Sequence, residues 1–91
     1  MTTPRAETTP NPNSLKFTSD DGTFLDGGMV AYSSAEEAQD DPLARALFAV
    51  EGVDDVFITP QFVTVSKAPD IDWTAVKPDV ESILSEHLAD R

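Results

Sequence analysis

Three pairs of adjacent carboxylates, Asp20-Asp21, Asp40-Asp41 and Asp54-Asp55, and one imidazole, His87, are the residues whose types suit metal binding or proton transfer. Their spacing argues against both. Adjacent side chains point in different directions, and none of the pairs has a histidine at the separation that transition-metal sites use. The pairs read as solvated turns. His87 lies beside Ile83 and Leu84 at the flank of an amphipathic stripe, and a single imidazole makes neither a triad nor a closed metal site. No serine has His and Asp companions for nucleophilic hydrolysis, and Asp26-Gly27-Gly28-Met29 lacks the spacing and the lysine of a phosphate loop. The chain contains no cysteine, which removes disulfides, thiol nucleophiles and the usual iron–sulfur ligands. The expectation is a protein that is not an enzyme, with no catalytic residue, metal site or cofactor of its own. Any cluster or redox chemistry would then come from a partner.

Basic residues are scarce enough to be informative. Six Lys and Arg stand against seventeen Asp and Glu, for a formal net charge of −11 in 91 residues. Such a surface repels phosphate backbones and anionic lipid, so neither nucleic acid nor a membrane is expected as a partner. Lysine is reduced to Lys16, Lys67 and Lys77. Lys16 points outward from a first strand and Lys67 ends the last one, so the two would anchor an acidic partner segment if those strands are neighbours. Two aromatics raise a related question. In the segment Val53 to Lys67, Val56, Ile58, Val63 and Val65 alternate with Phe57 and Phe62, which places the aromatics on the opposite sheet face. The expectation is that a helix, a sheet edge or the folded-back N-terminus covers them. If helices cover the Val/Ile face instead, Phe57 and Phe62 occupy an open surface that marks a partner site.

The elements that position these residues follow from periodicity. A length of 91 residues allows one domain, and 40% hydrophobic with 25% charged residues is the composition of a packed soluble fold. Residues 1 to 12 are rich in Thr and Pro without periodic apolar positions and read as a flexible arm. Leu15 and Phe17 alternate with polar neighbours in a first strand, which Asp20-Asp21-Gly22 ends in a turn. Thr23 to Tyr32 reads as a second strand interrupted at Gly27-Gly28. Ser33 and Ser34, each with a Glu three positions on, open a short turn near Ala35. Asp41 then caps a main helix from Pro42 to Val50. Gly52 ends it, and Val53 to Ile58 and Phe62 to Lys67 form a hairpin across Thr59-Pro60-Gln61. Trp73, Val76, Val80, Ile83, Leu84 and Leu88 share the stripe of a terminal helix capped by Asp72, with Pro78 either kinking or restarting it. This ββαββα order predicts an α+β two-layer sandwich, an antiparallel sheet with two helices on one face.

Compartment is weakly marked. No N-terminal apolar run of signal-peptide length and no run of about 18 apolar residues occurs, so the expectation is cytoplasmic. The excess of Asp over Glu, eleven to six, with so few lysines, is the balance that a high-salt, halophilic cytoplasm favours.

Thr9-Pro10-Asn11-Pro12-Asn13-Ser14-Leu15-Lys16-Phe17 is followed in order by Pro42-Leu43-Ala44, Leu47-Phe48, Glu51-Gly52-Val53, Val56-Phe57, Phe62-Val63-Thr64-Val65-Ser66-Lys67 and Asp72-Trp73. This series resembles the Nfu/NifU N-terminal domain family from about Thr9 to Leu88. The resemblance divides the chain into an arm over 1–8 and a domain over 9–91, with the two prolines favouring an extended entry from Thr9. In that family this domain commonly precedes a C-terminal domain whose Cys-x-x-Cys motif holds a transient iron–sulfur cluster. With the sequence ending at Arg91, the expectation is a stand-alone member. The resemblance implies an accessory or adaptor role in iron–sulfur cluster assembly or transfer, binding a scaffold or client protein. Asn13 from the family run, with Lys16, Phe57, Phe62 and Lys67, makes up the candidate partner-binding set. The alternative is a direct iron-binding donor that uses surface carboxylates, which would need those carboxylates to converge.

Overall fold

A computed structural model describes residues 4–19, 24–25 and 27–89 of the chain. The sheet contains β1 (Arg5–Thr8), β2 (Ser14–Thr18), β3 (Val30–Tyr32), β4 (Val53–Ile58) and β5 (Phe62–Lys67), with α1 (Pro42–Phe48) between β3 and β4 and α2 (Trp73–Ala89) at the end. Strand order is β1-β2-β5-β4-β3, and every neighbouring pair is antiparallel. The α+β sandwich and the ββαββα order are as the sequence indicates, preceded by one further strand.

That further strand corrects the reading of a flexible arm. Arg5–Thr8 pairs with β2, placing Ala6 opposite Phe17 and Glu7 opposite Lys16. A short polar strand lacks a hydrophobic pattern of its own. Here β2 supplies the backbone partners, and half-buried Ala6 packs on the core. The second strand is shorter than expected. Only Val30–Tyr32 pairs with β4, because Gly28 takes a left-handed φ of 72° and Phe24 leaves the sheet plane to be buried, its N–H donating to the Pro60 carbonyl at 3.0 Å. The expected turn at Asp20-Asp21-Gly22, the Asp20-Asp21 carboxylate pair, and Thr23 and Asp26 lie outside the described residues.

Helix starts follow local chemistry. The Asp41 carboxylate accepts from the Leu43 and Ala44 N–H groups at 3.1 and 3.2 Å, satisfying two donors that the first turn of α1 leaves free. Before it, Ser34 Oγ accepts from Glu37 N–H and Glu37 Oε1 accepts from Ser33 N–H at 2.7 Å. These bonds close the expected turn over 35–40. Gly52, at φ 99°, reverses the chain into β4. α2 runs through Pro78 as one helix, with Pro78 on its exposed side.

Val76, Val80, Leu84 and Leu88 recur every fourth residue along α2 and meet Leu43, Ala44 and Leu47 of α1 over the sheet. The sheet contributes Leu15, Phe17, Val56, Ile58, Val63 and Val65 to the same core. Burying each such aliphatic side chain contributes about 1.5–3 kcal/mol. Both helices therefore cover the Val/Ile face, and among the described residues no helix lies on the opposite face of the sheet. No helix among the described residues is long and apolar enough to cross a membrane.

Candidate partner-binding surface

Strand alternation and register build the open face. Glu7, Lys16, Thr64, Phe57 and Ala31 form one row across the five strands, and Arg5, Thr18 and Phe62 lie in the next. The Lys16 ammonium sits 4.6 Å from the centroid of the Phe62 ring, within cation–π range. Phe57 and Phe62 meet at a centroid separation of 6.0 Å with planes tilted by 56°. At one end of the face, Ser14 and Ser66 share a hydroxyl hydrogen bond of 2.7 Å. Thr18 donates to Glu7 Oε2 at 3.3 Å.

The expectation that a helix, a sheet edge or the folded-back N-terminus covers Phe57 and Phe62 is corrected: among the described residues none of these lies over them. They are half-buried on the open face, sheltered by each other and by Lys16. The apolar stripes of both helices pack on the β-branched face, which leaves the aromatics on the other.

The five candidate residues do not form one surface. β2 and β5 are neighbours as required, yet Lys16 and Lys67 stand on opposite faces. Lys67 is 8% exposed, with its ammonium donating to Asn13 Oδ1 at 3.2 Å and to the Ala68 carbonyl at 3.3 Å, 5.7 Å from the Trp73 ring. The pairing of Lys16 with Lys67 as joint anchors is thereby corrected. Lys67 and Asn13 instead close the end of the sheet.

This closure explains the proline-rich run. Between β1 and β2, Thr9 Oγ1 donates within range of the Asn11 and Ser14 carbonyls, and Asn11 Oδ1 accepts from Asn13 N–H at 2.9 Å. The Trp73 indole N–H donates to the Pro12 carbonyl at 3.1 Å. The loop is thus held from within by its Thr and Asn side chains and from outside by Lys67 and Trp73.

His87, Tyr32 and Asp41 make bonds that hold the fold. His87 Nε2 lies 3.0 Å from the Phe24 carbonyl, and since a carbonyl only accepts, the ring donates from Nε2. This bond ties α2 to the segment before β3. The Tyr32 hydroxyl donates to Asp41 Oδ2 at 3.1 Å. Burial first, then that bond and the negative charges of Asp41 and Asp40, raise the Tyr32 phenol above its ordinary value. Asp54 and Asp55 are exposed at a bulge in β4. Among the described residues, no three His, Cys, Asp or Glu side chains gather as a metal site would require.

Sequence reasoning missed the Ser14–Ser66 pair and the Tyr32–Asp41 bond. A polar residue directly opposite another across the β2–β5 register is the signal for the first; the second joins separate elements and leaves no trace in spacing.

Residues 5–91, the whole of this sheet and both helices, match the family described as scaffold protein Nfu/NifU N terminal. The chain belongs to the Nfu/NifU N-terminal family. It is 37% identical over 82 residues to NifU-like protein 5, mitochondrial, of Arabidopsis thaliana, covering 90% of this chain and 30% of that protein. It is 36% identical to the NFU1 iron-sulfur cluster scaffold homolog, mitochondrial, of Drosophila erecta, covering 93% and 30%. The chain therefore spans about 30% of the length of these two relatives. Among solved structures it is similar to a NifU-like protein from Saccharomyces cerevisiae, with TM-score 0.84, 30% identity and coverage of 97% of this chain and 79% of that one. It is also similar to protein SAV1430 from Staphylococcus aureus, with TM-score 0.74, 28% identity and coverage of 91% and 98%. In this member of the Nfu/NifU N-terminal family, the Thr9 to Phe17 run is the β1–β2 loop and strand, and the Phe62 to Lys67 run is the strand beside it.

Proposed function

We propose that this chain is a non-catalytic accessory domain in iron–sulfur cluster assembly or transfer, acting by binding a scaffold or client protein. The observation that carries the reading is the family match over residues 5–91 in a chain without cysteine. Relatives are named as iron–sulfur cluster scaffold homologues, and a domain without thiolates contributes to cluster handling through contact with a protein that has them. The polar interior groups support the same assignment, since each is spent on holding the fold: Asp41 caps α1, His87 ties down Phe24, and Lys67 closes a loop. Cytoplasmic residence belongs to the same proposal and is checked by fractionation of the native cell.

The test is affinity capture of the tagged full chain from its native host under anaerobic conditions, with proteins identified by mass spectrometry. Enrichment of cluster scaffolds, Cys-x-x-Cys Nfu proteins or cluster enzymes over an unrelated acidic control is expected. Repeated capture without any of these overturns the reading. So does isolation of the monomer alone with stoichiometric iron and sulfide.

A further inference from the structure

The two edges of the sheet differ in kind. β1 is guarded as edge strands usually are: Arg5 and Glu7 stand within it, and Pro4 and Pro10 bound it. β3 has no charged residue and no proline, and neither does the whole run from Gly27 to Ala35 that contains it. Ala31 is exposed, and Met29 beside it is the one large apolar side chain that stands out from the described surface, at 68%.

Register shows that the backbone of β3 is paired on one side only. Thr59 N–H donates to the Phe62 carbonyl and Lys67 N–H to the Asn13 carbonyl, which fixes the alternation of bonds across β4, β5 and β2. Phe57 therefore bonds toward β5, while Ile58 and Val56 bond toward β3, to Val30 and Tyr32. The Ala31 N–H and C=O, between those two, point away from the sheet. Neither has a hydrogen-bond partner among the described residues. Backbone geometry sets what covers such an edge: an extended segment presents donors and acceptors at the matching spacing.

Charge narrows the occupant further. Between Lys16 and Arg45 the sequence has seven carboxylates and no basic residue. Two of them are tied to the end of β3 itself, Glu37 Oε1 accepting from Ser33 N–H at 2.7 Å and Asp41 Oδ2 from the Tyr32 hydroxyl at 3.1 Å. Glu36 and Asp40 are exposed on the same turn. A second copy would bring an edge with the same acidic flank, so complementarity favours a cationic strand from another protein.

Resting on the partner-binding reading above, we infer that the outer edge of β3 receives an extended segment of the partner protein, which pairs with Ala31 as an added strand and sets Lys or Arg against the turn over 35–40. A template this short gives a transient complex.

The experiment titrates the isotopically labelled full chain with two synthetic peptides in physiological salt, read by amide chemical shifts and by hydrogen exchange at Ala31. Both peptides share an alternating Val-Thr core; one carries Lys at both ends and the other Glu. The Lys peptide is expected to give saturable shifts centred on Met29 to Tyr32 and to slow Ala31 exchange about tenfold at saturation. Ala31→Pro removes the outward N–H and leaves the bonds to β4, so it should abolish docking. Glu36→Lys with Asp40→Lys should weaken the Lys peptide at least about fivefold. Asp79→Lys with Glu86→Lys, the same change of net charge placed on α2, should alter it less than about twofold. Should Ala31→Pro fail to fold, Ala31 exchange and the two charge reversals decide. Absence of saturable shifts on β3 at millimolar Lys peptide overturns the inference. Shifts without slowed Ala31 exchange overturn it too, because charge would then attract without strand pairing. Undiminished docking on folded Ala31→Pro, equal weakening by both charge reversals, or tighter binding of the Glu peptide has the same consequence. Ala31 exchange that slows with protein concentration alone gives the edge to a second copy and overturns the assignment to a partner. If native-host capture still enriches cluster-assembly proteins while the Lys peptide fails, the docking inference falls and the proposed function stands. If the peptide docks as described while capture fails, the edge stands and the function falls.

Discussion

The Lys67 ammonium and the Asn13 carboxamide, 54 positions apart in sequence, meet at 3.2 Å and fasten the β1–β2 loop to the end of β5. The backbone repeats the link, with Lys67 N–H donating to the Asn13 carbonyl at 2.8 Å. Because Lys67 is buried, its loss leaves the Asn13 and Ala68 oxygens short of a donor.

Lys67→Met keeps the aliphatic stem and removes the charge, so it isolates the polar contribution. It should cost about 1–3 kcal/mol, the range for a hydrogen bond from a charged group. Asn13→Ala should cost about 1 kcal/mol. Urea unfolding of both singles and the double should return a coupling of about 0.5 kcal/mol or more. Strict additivity would mean that the contact stabilises nothing.

Gly52 joins α1 to β4 at φ 99°, and a Cβ built there would lie 3.0 Å from Ile71 Cγ2. An alanine must bear left-handed strain of about 1–2 kcal/mol and push Ile71 aside as well. Gly52→Ala should therefore lower stability by about 1–3 kcal/mol, visible as a shifted denaturant midpoint with unchanged slope. A companion Ile71→Ala substitution should return the steric part and leave the backbone part.

Tyr32 makes stability fall at alkaline pH. Its phenol ionises above the ordinary 10.0 in the folded chain, through burial first and then Asp41 and Asp40. Once pH passes the unfolded value, the unfolded chain has released a proton that the folded chain retains, so stability falls as pH rises through that window. The contribution is complete below the unfolded value and lost above the folded one. Tyr32→Phe removes both this titration and the bond to Asp41. It should be about 1 kcal/mol less stable at neutral pH, with the gap to the wild type narrowing above about pH 10. Paired denaturation curves across that range measure it.

Much of this fold was legible because local pattern and final structure agree. Val53–Ile58 and Phe62–Lys67 alternate cleanly, Asp41-Pro42 marks a helix start, and Gly52 marks a helix end. What the pattern left open was long-range. Alternation put Phe57 and Phe62 opposite Val56 and Val65, but nothing in spacing says which face the helices take. Arg5–Thr8 is a strand only because β2 is there to pair with it. Lys67 reads by type as a solvated cation and is buried only because Trp73 and Asn13 converge on it from distant positions. Among the candidate site residues, Lys16, Phe57 and Phe62 come together through strand register, whereas Asn13 and Lys67 belong to the loop closure.

Pro78 sits in the sixth position of α2, where it has no N–H to give the Thr74 carbonyl. A proline inside a helix costs about 3 kcal/mol, offset by about 1 kcal/mol through restriction of the unfolded chain. Pro78→Ala should thus stabilise the chain by about 2 kcal/mol, read as a higher thermal midpoint. A drop would mean that Pro78 makes contacts worth more than the missing bond.

Net charge sets a final, separable term. At −11, with the carboxylates of Glu51, Asp79 and Glu86 lining one groove between α1 and α2, self-repulsion opposes the compact state in dilute buffer. Molar salt shortens the screening length to about 3 Å and removes most of that opposition. The thermal midpoint should therefore climb between dilute buffer and molar potassium chloride, by about 5 °C for each kcal/mol of repulsion relieved. Sodium chloride should act equally, since screening depends on ionic strength and not on the cation. The triple substitution Glu51→Gln, Asp79→Asn and Glu86→Gln should raise the midpoint in dilute buffer and flatten the salt response. A midpoint indifferent to salt would remove both the repulsion and the high-salt adaptation inferred from composition. A response unchanged in the triple variant would place the repulsion elsewhere than this groove.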